Sequence, residues 1–120
     1  WPRSSAGVIV IEDEKILALD LGEYLTLPAG GSDAGELFEE TARRETLEET
    51  GIEIEIEERI NEQINSIGRV EAIFRAKKVG GELNGNRVEG EPKWIPLEET
   101  FKRRWRYDRD IESLVEKSGS

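Results

Sequence analysis

Residues Gly30 to Ile52 read GGSDAGELFEETARRETLEETGI. A glycine-rich, partly acidic opening runs into Arg44-Glu45-Thr46-Leu47-Glu48-Glu49 and closes on Gly51. On a helix, residues three and four apart share a face, so this spacing predicts that Glu45, Glu48 and Glu49 present their carboxylates to one region of space. The plainer alternative is a Glu-rich solvated helix in an acidic chain. Against it, like charges at these spacings cost an isolated helix roughly 0.2–0.5 kcal/mol per pair, and anions near a helix C-terminus oppose the macrodipole. Local stability does not select this pattern, whereas a bound cation does. Hard carboxylate oxygens suit Mg²⁺ or Mn²⁺ rather than zinc, and the chain has no His or Cys with which to build a zinc site.

Counting outward, Gly30 is followed after five residues by Glu36, then after seven by Arg44-Glu45, then by Glu48-Glu49, Gly51 and apolar Ile52. This pattern resembles the Nudix box of the Nudix (MutT-like) hydrolase family. The one departure is Thr46, where an aliphatic residue is usual; it is expected to pack its methyl inward and bond its hydroxyl to a carbonyl one turn back. The resemblance implies an α/β fold, a Nudix-type α/β/α sandwich with a mixed β-sheet, over one domain spanning residues 1–120. It also implies Mg²⁺-dependent (or Mn²⁺-dependent) hydrolysis of a nucleoside diphosphate linked to another moiety.

The same resemblance distributes roles. Glu49 is the chief metal ligand, with Glu45 and Glu48 as further ligands or one of them as the base, and the Ala29 carbonyl lies close to metal. Arg44 orients a carboxylate, with Glu40 and Glu48 one turn away on either side. Glu36 supports the loop and helix or makes an outer metal contact. Gly30 and Gly31 lie on the substrate side, and the alternative to a helix glutamate as base is a loop carboxylate such as Glu89 or Glu91, which could instead take the proton or hold another metal when substrate closes the site.

Composition narrows the field further. With 27 acidic against 17 basic residues the net charge is −10, which argues against nucleic-acid or anionic-membrane binding. No apolar run approaches a membrane span and no signal-peptide pattern opens the chain, so a cytoplasmic protein is expected, as monomer or homodimer, and the resemblance implies a small nucleotide-type substrate. The absence of His, Cys and Met, with Trp1 first, points to a trimmed, processed or engineered chain. Three readings stay open: an active hydrolase, a Nudix-fold binding or sensor module, and a redesigned scaffold without turnover.

Around the box, apolar Ala6–Ile11 and Lys15–Leu19 flank Glu12-Asp13-Glu14 and predict a hairpin. Tyr24–Leu27 predicts a short strand stopped by Pro28, after which Pro28–Gly31 turns sharply into a helix starting near Gly35–Leu37 and ending at Thr50, anchored by Phe38, Ala42 and Leu47. Ile52–Glu57 alternates as a strand, with its glutamates in water. Glu58–Ser66 is ambiguous. Ile67–Val79 predicts a long strand broken by Gly80-Gly81, Asn84-Gly85 a hairpin, and Trp94–Leu97 a last short strand with Trp94 in the core. The only basic cluster, Lys102–Arg106, either docks this segment on the acidic body or contacts substrate. A helix capped by Asp108 runs to Lys117 with Ile111, Leu114 and Val115 inward, and Ser118–Ser120 frays.

Overall fold

In strand β1 (Ser4–Glu12) the residues from Ser5 to Val10 are buried on both faces, so both sides of the strand must be covered. Its even-numbered Ala6, Val8 and Val10 pack with Ala72, Phe74 and Ala76 of β6 (Val70–Gly81) and with Ala42 of helix α1 (Phe38–Thr50). Its odd-numbered Ile9 joins Ile73, Trp105 and the stripe Ile111, Leu114 and Val115 of helix α3 (Ile111–Lys117). The result is three layers, helix, sheet and helix. A computed structural model describes residues 4–64, 68, 70–84 and 89–119 of the chain.

The sheet is mixed, as expected. β1 runs parallel to β6, from Ser4 opposite Val70 to Val10 opposite Ala76, and antiparallel to β2 (Lys15–Asp20) and β4 (Ala29–Gly31). β5 (Ile52–Ile64) pairs antiparallel with β6, while β3 (Leu25–Thr26) and β7 (Glu91–Pro96) flank β2. The order is β3-β2-β1-β6-β5, with β4 against β1 and β7 against β2. The β1–β2 hairpin turns on Asp13 and Glu14, both at positive φ, as a two-residue loop between twisted strands requires.

Several boundaries differ from the sequence expectation. Residues 29–31 form strand β4 instead of a turn, because their backbone groups find partners on β1 at Gly7, Ala6 and Ser5. The ambiguous polar stretch after Glu57 continues β5 to Ile64, since long β6 offers a ladder partner throughout. Gly80 and Gly81 end β6 inside the ladder, where Gly81 faces Ile52, instead of breaking it earlier. The Glu-rich segment after β7 winds into a short helix, α2 (Leu97–Thr100). The proposed Asn84-Gly85 turn falls largely outside the described residues, as does Ile67. At the other end the cap of α3 is Asp110, whose carboxylate accepts from the Ser113 amide, and not Asp108. Ser118 is buried and its hydroxyl donates to Val115 O, so this residue is held and not frayed, while Ser120 lies outside the described residues.

Helix α1 begins at Phe38, where Glu40 accepts from the Leu37 amide at 3.0 Å, and ends at Gly51 in the left-handed conformation. Leu47 does not anchor it; 48% of that residue is exposed. Five residues beyond Ala42, it has rotated to the far side, and the inward slot four residues on belongs to Thr46. The inner face of the second half is therefore Thr46, Glu49 and Thr50. The two hydroxyls satisfy themselves one turn back, Thr46 Oγ1 to Ala42 O and Thr50 Oγ1 to Thr46 O, each at 2.7 Å.

Candidate active site

Burying a glutamate in the inner face of a helix needs a compensating donor, and β4 provides it: the Ala29 amide donates to Glu49 Oε1 at 2.9 Å. One turn earlier, Glu45 lies within hydrogen-bonding reach of Glu49. Gly30 makes this approach possible, since a β-carbon there would overlap the Glu45 carboxyl group. The strand glycine and the helix glutamates are thus one packing unit.

Burial pushes the Glu49 carboxyl up to about 9, against the Ala29 hydrogen bond and with help from the nearby charges of Glu45 and Glu89. Glu45 is also raised, by burial first and by Glu48, with Arg44 pulling the other way. Two such acids side by side, both resisting ionisation, favour a cation among them.

Arg44 organises the rim. Its Nε and Nη2 hold both oxygens of Glu36 at 2.8 and 2.9 Å, Nη1 donates to Glu45 Oε1 at 2.9 Å, and Nη2 also reaches Gly31 O at 2.9 Å. Glu36 in turn accepts from the Asp33 amide at 3.0 Å and sits 2.8 Å from Thr41 Oγ1. The guanidinium fork holds the Glu36 carboxyl far below the usual range, at about 2. Of the two carboxylates flanking Arg44 in sequence, Glu48 lies 3.4 Å from Nη1, but Glu40 serves the helix start instead.

The three helix glutamates do not converge as the spacing suggested. Glu45 and Glu49 meet, while the Glu48 side chain is 52% exposed beside Arg44, and among the described residues no three carboxylates form a metal-sized cluster. Three residues along a helix is 300°, which leaves Glu48 on the flank of the buried face. Two carboxylates and the backbone of β4 still make an all-oxygen donor set suited to Mg²⁺ or Mn²⁺.

A cavity of about 370 Å³ opens above this pair. Ala29, Gly30 and Gly31 line it, as does the exposed Glu89. Glu91 does not: it lies in β7, half-exposed and 3.7 Å from Lys93, because its backbone is committed to the ladder opposite Asp20. The far wall was not legible in the sequence. It consists of Ser5, Arg106, Tyr107 and a buried ion pair, Arg109 to Glu71 at 2.8 and 3.1 Å. Within the basic cluster the docking role is visible at Arg103 and Trp105. Arg103 docks on Asp20, and Trp105 is buried with its indole bonded to Thr100 O, while Arg106 lines the cavity.

The family model described as NUDIX domain matches residues 1–115. The chain belongs to the Nudix family. A MutT-like protein from Streptomyces ambofaciens is 34% identical over 103 residues, covering 83% of this chain and 67% of that protein. Among solved structures, an ADP-ribose pyrophosphatase from Streptococcus suis superposes with a TM-score of 0.83 at 17% identity, over 99% of this chain and 91% of that one. A UDP-X diphosphatase gives 0.79 at 20% identity, over 99% of this chain, which spans 62% of that protein's length. At these identities the structural likeness shows the Nudix fold. No helix among the described residues of this Nudix domain is long and apolar enough to cross a membrane.

Proposed function

We propose that this Nudix domain is a divalent-metal-dependent pyrophosphohydrolase acting on a nucleoside diphosphate linked to a second moiety. The observation that carries the reading is buried Glu49 paired with part-buried Glu45 and set against glycine strand β4 at the mouth of a cavity. Stability alone opposes a buried acid adjoining a part-buried one, and a cation reverses that balance. The names of the structural relatives, an ADP-ribose pyrophosphatase and a UDP-X diphosphatase, support the substrate class.

In this reading Glu49 and Glu45 would hold Mg²⁺ or Mn²⁺, with Glu48 and the Ala29 backbone as further candidate ligands. The ion supplies neutralisation of the diphosphate charge and acidification of water. Arg44 fixes Glu45 through Nη1 while Glu36 fixes Arg44, so the ligand carboxylate is preorganised by two successive charge-assisted contacts. The attacking water adds its oxygen to phosphorus, the bridging oxygen leaves with the P–O electron pair, and Glu48 or Glu89 takes the proton. A small-molecule nucleotide substrate fits the cavity, and the acidic surface disfavours nucleic acid.

A panel of nucleoside diphosphate derivatives assayed for phosphate-ester products with and without Mg²⁺, beside Glu49→Gln, tests the reading. Turnover that needs metal and is lost in the variant supports it. Binding without turnover assigns the domain to ligand sensing instead, and neither binding nor turnover leaves only a scaffold.

A further inference from the structure

Strand β2 ends on Asp20, whose side chain is 15% exposed and does not line the cavity. Three donors from separate parts of the chain converge on it. Its Oδ1 accepts from the Gly22 amide at 2.8 Å and from Arg103 Nη2 at 3.2 Å, and its Oδ2 accepts from Lys93 Nζ at 3.1 Å. The Gly22 amide first, then Lys93 and Arg103, hold the Asp20 carboxyl below the usual carboxylate range against the opposing effect of burial.

Each cation leads to a different side of the cavity. Lys93 belongs to β7, which begins at Glu91 opposite Asp20. Just before it, Gly90 at φ 122 runs so close to β2 that a β-carbon there would stand 3.2 Å from Asp20 O, and the preceding Glu89 lines the cavity. Arg103 opens the segment whose Arg104 carbonyl accepts from the Leu25 amide at 2.9 Å and whose Arg106 and Tyr107 form part of the far wall.

Both cations also have an acid on or beside their own segment. Glu91 lies 3.7 Å from Lys93 and Glu99 of α2 lies 3.6 Å from Arg103, each with its side chain 53% exposed. Such exposed pairs contribute little and tie down nothing beyond the segment that holds them. Asp20 is the one acid among the described residues that Lys93 and Arg103 share, at shorter distances and with far less exposure.

We infer that Asp20 is a positioning residue for the hydrolysis: by holding Lys93 and Arg103 at one carboxylate, it fixes Glu89 against the Arg106–Tyr107 wall across the cavity. This rests on the pyrophosphohydrolase reading, with Glu89 as the group that takes the proton. Without the shared acceptor each cation falls back on its local acid, so the ion pairs survive while the two walls move independently. Misplacement of a reacting group by about 1 Å costs as much as 10²-fold in rate.

Asp20→Asn keeps the size of the side chain but offers one acceptor oxygen in place of two. On the best nucleoside diphosphate derivative its kcat is expected to fall about tenfold, while Glu99→Gln, which cuts only a local pair, stays within about twofold of wild type. In a Glu89→Gln background, Asp20→Asn should lower kcat by less than about twofold, because the group it positions is gone. An Asp20→Asn kcat within about twofold of wild type overturns the inference. So does a loss that multiplies undiminished onto Glu89→Gln, or a Glu89→Gln variant that keeps wild-type kcat. Hydrogen exchange reads the same link without turnover. In Asp20→Asn, exchange over Glu89–Lys93 and over Arg103–Tyr107 should quicken about tenfold, with the centre of β6 unchanged. Lys93→Gln should loosen only the first stretch and Arg103→Gln only the second, and these two variants decide the matter if Asp20→Asn does not fold. If no substrate turns over, the hydrolase reading fails by itself, and this loosening pattern still assigns Asp20 to holding the two walls. Loosening of neither stretch, or of β6 to the same degree, refutes it.

Discussion

Replacing Gly30 by alanine separates activity from stability. A β-carbon at Gly30 would stand 2.6 Å from Glu45 Oε1 and nearer still to Glu45 Cδ and Oε2. Ordinary contacts begin near 3.5 Å, so the carboxyl group must retreat by about 1 Å. Displacements of that size at a reacting centre cost about 10²-fold, or about 2.7 kcal/mol of transition-state stabilisation. The fold should scarcely notice. Gly30 lies in a strand outside the left-handed region, where alanine reduces unfolded-state entropy by about 0.4–1 kcal/mol, and the obstructing atoms are the end of a flexible side chain. Gly30→Ala should therefore lower kcat/KM on the best nucleoside diphosphate substrate about 100-fold while calorimetry finds Tm within about 5 °C of wild type. Activity within about threefold of wild type would show that the Glu45 position is not set by strand β4. A fall in Tm beyond about 10 °C would show that Glu45 cannot yield.

Three further outcomes follow from the same contacts. In EDTA at pH 8, Glu49→Gln should melt above wild type, because the folded-state carboxyl is raised toward 9 and stability is lost as pH climbs from the ordinary carboxylate range through that value; added Mg²⁺ should raise the Tm of wild type but not of the variant, and the opposite order would remove the case for a metal ligand. Glu36 has the reverse sign: its carboxyl is lowered to about 2, so its contribution is present above the unfolded value of 4.5 and fades as pH falls through 2, and the Tm gap between wild type and Glu36→Gln should close over that window. A gap that stays constant with pH would leave only a packing role. Thr46→Val should raise stability by about 0.5–1 kcal/mol in denaturant titration without changing kcat, since the hydroxyl only back-bonds a carbonyl that the helix already satisfies; destabilisation would mean that this bond is needed.

The Nudix box and its helix were legible because their spacing carries both chemistry and geometry. Arg44, Glu45, Glu49 and the left-handed Gly51 could be placed from the periodicity of one segment. Leu47 was misread because an apolar residue suggests a core position, although the 100° step per residue puts it outside and gives its slot to Thr46. Glu48 was placed too close to its neighbours for the same reason. The far wall of the site was hidden because Ser5, Glu71 and Arg109 are separated by long stretches of chain and meet only through the parallel β1–β6 pairing. Periodicity within one strand cannot report its partner. One signal was available: Glu71 is the lone acid of β6 and borders the apolar run Ala72–Phe74, where a buried charge requires a counterion.

Strand β5 closes one side of the sheet, pairing with β6 alone among the described residues, and along its opening run every second residue is glutamate. An unpaired strand edge is a template for other chains, and charged Glu53, Glu55 and Glu57, the latter two beside Lys77 and Arg75, make burial of this edge against another costly. Solubility and sheet order thereby draw on the same alternation: the isoleucines fix which face turns inward, and the intervening acids keep the protein from growing sideways into aggregates until protonation removes their charge.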